Sequence, residues 1–178
     1  MSTKITPNRA EAERFLNLIE PGGDFWFQTQ LEPRPPGRGR PNILRGTLDQ
    51  VWTRLVGLNA QHHAIWVQIN AATGRKDDEV FRLRGYFVDI DDGDGSLLLN
   101  SPEQPDIIVE TSPGKYHGHW RTKGGPLDEF KSRQLALAAR FGGDTTVCNL
   151  GRVMRLPGFV HWKGEPFLSH IMRVRAGL

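Results

Sequence analysis

The sequence predicts an α+β domain with a mostly antiparallel sheet, on three observations. Helical patterns occur at residues 7–20, 47–58 and 127–141, and four β-type segments stand in a row between the second and third of them. Residues 106–111 (DIIVET) and 116–121 (YHGHWR) are joined by Ser112-Pro113-Gly114, the mark of a hairpin. The resulting order is α-β-α-β-β-β-β-α-β-β, with strands grouped rather than alternating singly with helices.

Each element has a local reason. Pro7 sits near the start of the first helix; Ala10, Phe15, Leu16, Leu18 and Ile19 supply its apolar positions, and Pro21-Gly22-Gly23 stops it. Residues 25–31 (FWFQTQL) follow as a strand. Residues 33–41 (PRPPGRGRP) cannot be regular structure and are expected to form an exposed basic loop carrying Arg34, Arg38 and Arg40. Thr47 is the expected N-cap of the helix that runs to about Leu58. Strands are expected at 64–70 and 80–91, with a polar loop at 73–78 between them. The helix at 127–141 ends at Gly142-Gly143, and residues 153–160 and 167–175 complete the sheet. There is no internal repeat and no convincing linker, so the 178 residues are expected to form one domain.

Composition excludes several classes. Hydrophobic residues make up 38% and charged residues 24%, as in ordinary globular proteins. No apolar run approaches the ~20 residues of a membrane span, and the N-terminus lacks the apolar segment of a signal peptide. Cys148 is the only cysteine, which rules out an intrachain disulfide and cysteine-held zinc; a reducing, cytoplasmic setting is expected. The net charge of +3 hides an asymmetry. Residues 1–111 carry 12 Lys/Arg against 16 Asp/Glu, whereas residues 112–178 carry 11 against 4. An acidic half that can hold metal and a basic half that can meet a polyanion suit an enzyme acting on phosphates or nucleic acid.

Three constellations carry chemistry. The first is Tyr86-Phe87-Val88-Asp89-Ile90-Asp91-Asp92, where strand alternation puts Asp89 and Asp91 on one face and Ile90 in the core. Adjacent carboxylates repel unless a cation lies between them, and oxygen-only ligands suit Mg²⁺, Mn²⁺ or Ca²⁺. The second is residues 111–120 (TSPGKYHGHW). Its glycine turn can offer backbone N–H groups, and Lys115, His117 and His119 share one strand face, a triphosphate site opposite the carboxylates. The third is Asp144 just past a helix, followed by Arg152, Arg155, Pro157-Gly158 and Lys163.

In order and spacing these motifs resemble the archaeo-eukaryotic primase superfamily, in particular its primase-polymerase and plasmid- or phage-type replication-primase branch. Asp89-Ile90-Asp91 stands for that family's D-x-D pair. Ser112, Lys115 and His117 stand for its S-x-H motif, with the spacing stretched by Pro-Gly. Asp144 stands for its lone acidic residue, followed by an R-x-x-R-x-P-G…K pattern in Arg152, Arg155 and Lys163. The resemblance covers about residues 64–165. It implies an RRM-like, mostly antiparallel sheet with helices packed on it (63–178) plus an N-terminal αβ unit (1–62). It implies that Asp89, Asp91 and Asp144 hold two Mg²⁺ or Mn²⁺ ions about 3.5–4 Å apart. Ser112, Lys115, His117 and Arg155 would bind the NTP or dNTP. Arg152, Lys163, His119 and the Arg34, Arg38 and Arg40 loop would support the site or touch single-stranded DNA template. The reaction the resemblance implies is in-line nucleotidyl transfer, making primers for a plasmid, phage or similar element. A helicase or a C-terminal helical module is an expected partner, since the chain stops soon after Lys163.

Other readings fit less well. A calcium loop starting at Asp92 would need glycine at its sixth place, where Leu97 stands. A histidine-pair nicking endonuclease would need a bulky residue in place of Gly118 and a tyrosine nucleophile on a helix, yet Tyr86 and Tyr116 are both on expected strands. A non-catalytic single-strand-binding RRM-type module would not place bare carboxylates where they repel phosphate.

Overall fold

Two antiparallel four-stranded sheets, rather than one, organise the chain in the computed structural model, which describes residues 5–33, 40–91 and 95–177. The first sheet has the order β2-β1-β3-β9, built from Asn42–Gly46, Phe25–Leu31, His63–Gln68 and Val153–Arg155. The second has the order β12-β7-β8-β6, built from His170–Val174, Ile107–Ser112, Lys115–Arg121 and Gly85–Ile90. Two small ladders complete the strands: β4 (Ala71–Ala72) with β5 (Val80–Arg82), and β10 (Val160–His161) with β11 (Phe167–Leu168).

The helices form much where the sequence places them. α1 spans Arg9–Ile19, starts at Asn8, whose side chain accepts the Glu11 N–H, and buries Ala12, Phe15 and Leu16. α2 spans Leu48–Ala60, with the Gln50 side chain accepting the Thr47 N–H at 2.9 Å. α4 spans Phe130–Phe141 and ends at Gly142, which takes the left-handed φ of +68°. The five-residue α3, Ser96–Asn100, is too short to show a period in the sequence. β2 was hidden as well: three of its five residues are exposed, so it lacks the apolar alternation that marks a strand.

Two expectations change. The strand expected over 80–91 breaks between β5 and β6, because the Asn70 side chain accepts the N–H groups of Arg84 (3.0 Å) and Gly85 (3.3 Å) where a ladder would continue. Residues 153–155 do not complete the second sheet. They pair with β3, Trp66 against Arg155, and Leu156 N–H donates to the Ile65 carbonyl. The first sheet therefore takes strands from both sides of the 62/63 boundary expected for the two units.

β6-α3-β7-β8-α4-β12 follows the β-α-β-β-α-β order of an RRM-like unit. Its sheet has two covered faces. Phe87, Ile107 and Val109 enter the larger core with α1, α2 and the first sheet; Val88, Ile90, Ile108 and Tyr116 pack on Leu98 and Phe141. Gln134 of α4, fully buried, donates to the Phe87 and Val147 carbonyls and accepts the Phe87 N–H, covering the outer edge of β6. Among the described residues no helix is long and apolar enough to cross a membrane.

Candidate active site

A cleft of about 610 Å³ lies where the two sheets meet, lined by residues of both. On the second sheet the register sets Asp89 of β6 opposite His117 of β8. Their side chains approach to 3.3 Å (Asp89 Oδ1 to His117 Nε2), and Lys115 Nζ lies 3.1 Å from Asp91 Oδ1. Ile90 is buried, as the alternation requires. Burial opposes the charge on Asp89, but His117, then Arg155 and Lys115, outweigh it and hold the carboxyl below its ordinary range.

The first sheet supplies Arg155 from β9 and Trp66 from β3, with the guanidinium 5.4 Å from the indole centroid. Arg152, Lys163 and His161 also line the cleft. Arg155 is not free: it forms a two-pronged pair with Glu32, Nη2 to Oε1 at 2.8 Å and Nη1 to Oε2 at 3.3 Å. Burial opposes the Glu32 charge, but a hydrogen bond from His161 and the charge of Arg155 bring its carboxyl down to about 2. Arg152 donates to the Thr146 carbonyl, within the loop that follows α4.

Asp144 reaches the site through its backbone. Its N–H donates to the Asp89 carbonyl at 2.8 Å, and a side chain on the preceding Gly143 would press on Asp89 O and Val88 at 3.2 Å. The Asp144 carboxylate accepts from Thr146 N–H and Thr146 Oγ1, both at 2.8 Å, and does not line the cleft. Among the described residues no three His, Cys, Asp or Glu side chains are arranged to hold a metal ion. The donor set still fits hard cations. Asp89 and Asp91 offer only oxygens at the cleft, and each Asp144 oxygen keeps acceptor capacity beyond its one hydrogen bond.

Three expected contributors stand elsewhere. His119 is 1% exposed, packs edge-on to Phe15 at 5.1 Å and cannot touch template. It shares the His117 face, but that face dives under α1 one step along the strand. The Ser112-Pro113-Gly114 turn does not offer its glycine donor, because Gly114 N–H is taken by Glu110 Oε1 at 3.1 Å; Ser112 itself lines the cleft. Arg40 is exposed and outside the cleft lining, while Arg34 and Arg38 lie outside the described residues, as do Asp92 and Asp94 of the calcium-loop reading. Glu32, Trp66 and His161 are cleft residues that sequence reasoning missed. His161 could have been found, lying two places before Lys163 in the Pro157-Gly158…Lys163 run; Glu32, at the mouth of a basic loop, gave no signal.

Adjoining carboxylates on an RRM-like sheet are faced by arginine, lysine and histidine across one cleft. The family model of the RepB DNA-primase N-terminal domain matches residues 82–172, just over half of the sequence, and the chain belongs to that family. The AEP domain of the cyanophage S-2L primase-polymerase superposes with a TM-score of 0.79 at 21% identity, over 98% of this chain and 94% of that one. The primase RepB′ gives 0.71 at 18% identity, over 93% of this chain and 56% of that one. The catalytic domain of RepB′ in complex with initiator DNA gives 0.67 at 16% identity, over 92% and 85%. No curated protein matches the chain.

Proposed function

We propose that this chain is the catalytic domain of a replication primase, a template-dependent nucleotidyltransferase that makes primers on single-stranded DNA from NTPs or dNTPs. One observation carries the reading: in a RepB primase-family chain, Asp89 and Asp91 adjoin Lys115 and His117 in the cleft that Arg155 enters from the other sheet. Asp89 and Asp91 would hold Mg²⁺ or Mn²⁺, and Asp144 would join them only on turning its carboxylate from Thr146 toward the cleft. Two such ions, when bound, neutralise phosphate charge and activate the attacking hydroxyl. Lys115, His117 and Arg155 bind and orient the triphosphate by charge-assisted hydrogen bonds. Arg152 and Lys163 contact the template at the rim. The two sheets keep the reacting groups in register, which accounts for much of the rate in phosphoryl transfer. The complex of the RepB′ catalytic domain with initiator DNA supports DNA as template.

The test is incubation of the protein with single-stranded template, labelled nucleotides and Mg²⁺ or Mn²⁺. Products made without a supplied primer are expected; strand nicking with a covalent tyrosine adduct would favour the histidine-pair endonuclease. Burial of His119, and of Tyr116 in the smaller core, already disfavours that alternative.

A further inference from the structure

Glu32 is a charged residue at the floor of the cleft that the reaction above does not use. It follows β1, and its N–H donates to the His62 carbonyl at 2.9 Å, which fixes its backbone. Its side chain is 11% exposed and surrounded by donors. Both terminal nitrogens of Arg155 reach it, Trp162 N–H donates to Oε2 at 3.1 Å, and His161 Nε2 lies 3.3 Å from Oε1. His161 in turn places Nδ1 2.9 Å from the Thr111 carbonyl, at the end of the second sheet where Ser112 enters the cleft. Glu32 thus joins the end of β1 to β9 and β10, and through His161 to β7.

The geometry points to Glu32 as a positioning residue for triphosphate binding. It acts through Arg155, which it holds end-on with Trp66 beneath, so that the remaining N–H groups of the guanidinium are fixed for phosphate oxygens. A long arginine left free would lose rotamer freedom on every binding event, and the end-on pair with Glu32 removes that cost beforehand. Lysine cannot replace Arg155 here, because it has no second prong to reach both carboxylate oxygens. This inference rests on the proposed role of Arg155 in holding triphosphate.

The test measures nucleoside triphosphate affinity by calorimetry with Mn²⁺ and no template, beside single-strand affinity by gel shift. The proteins are wild type, Glu32→Gln, Arg155→Ala, the double variant and Arg155→Lys, each checked for folding by its melting temperature. Glu32→Gln is expected to weaken triphosphate binding about tenfold, to leave strand affinity unchanged, and to add little in the Arg155→Ala background. Arg155→Lys, which keeps the charge and loses the fork, is expected to match Glu32→Gln and serves if the latter folds poorly. Tighter triphosphate binding by Glu32→Gln would show competition with phosphate for Arg155 and overturn the inference. A loss that persists undiminished in the Arg155→Ala background would overturn it too, as would unchanged triphosphate binding by a folded Glu32→Gln variant. A wild-type protein that binds no triphosphate overturns the proposed function itself.

Discussion

Asp89 and Asp91 have different surroundings and should respond alike to removal. Alanine at either position is expected to abolish primer synthesis while lowering the melting temperature only modestly, because Asp89 loses its pairing with His117 and Asp91 its exposed pairing with Lys115 and neither carboxylate fills the core. A large drop in melting temperature would instead assign them a structural part. His119 gives a prediction of another kind. Complete burial, with His117 nearby, holds its basicity well below the ordinary value of 6.5, so it is neutral in the folded chain. The unfolded chain binds the extra proton, so stability is expected to fall as pH drops below about 6.5. Glu32, held down to about 2, adds a more acidic limb: its contribution is full above 4.5 and lost between there and about 2. Melting curves between pH 8 and 5 check the first limb, and His119→Leu should flatten it. The aspartate pair, Lys115 and His117 were legible because two-residue alternation on a strand needs no tertiary knowledge. His119 obeyed the same alternation, yet burial under α1 is a property of packing that the strand pattern does not carry.

At the scale of the element, the Pro157-Gly158 step stands for a contact rather than for chemistry. Gly158 has φ of +87°, and a Cβ there would lie 2.4 Å from the Asn8 carbonyl and 3.0 Å from the Ala12 nitrogen. Asn8 N–H also donates to the Gly158 carbonyl at 2.7 Å, so the turn and the start of α1 are seated on each other. Gly158→Ala is expected to cost about 2–4 kcal/mol by combined backbone strain and overlap, measured by denaturant unfolding. A change below about 0.5 kcal/mol would mean that α1 shifts freely. Helices and hairpins were legible because their signals are local. β2, the break before β6 and the destination of β9 were not. Each is decided by a partner distant in sequence: β1, the Asn70 side chain, and β3.

For the whole molecule, charge is divided as the sequence has it, with residues 112–178 carrying 11 Lys/Arg against 4 Asp/Glu. Single-strand affinity is expected to fall linearly with salt on logarithmic axes, with a slope of about −0.7 per phosphate neutralised. A flat response would contradict a strand-binding role. Residues 63–178 expressed alone are expected not to fold, since β3 and β9 would lack β1 and the larger core would lose Phe15, Phe25 and Phe27; circular dichroism and proteolysis decide it. The late arrival of β9 also bears on synthesis. On the ribosome, β1, β2 and β3 can pair early, but the outer edge of β3 stays open until residues 153–155 are made. At about 5–20 residues per second that interval lasts seconds, during which a bare strand edge invites pairing with a second nascent chain. Slow translation through residues 69–152 should therefore lower the soluble yield, and supplying a chaperone that shields strand edges should restore it.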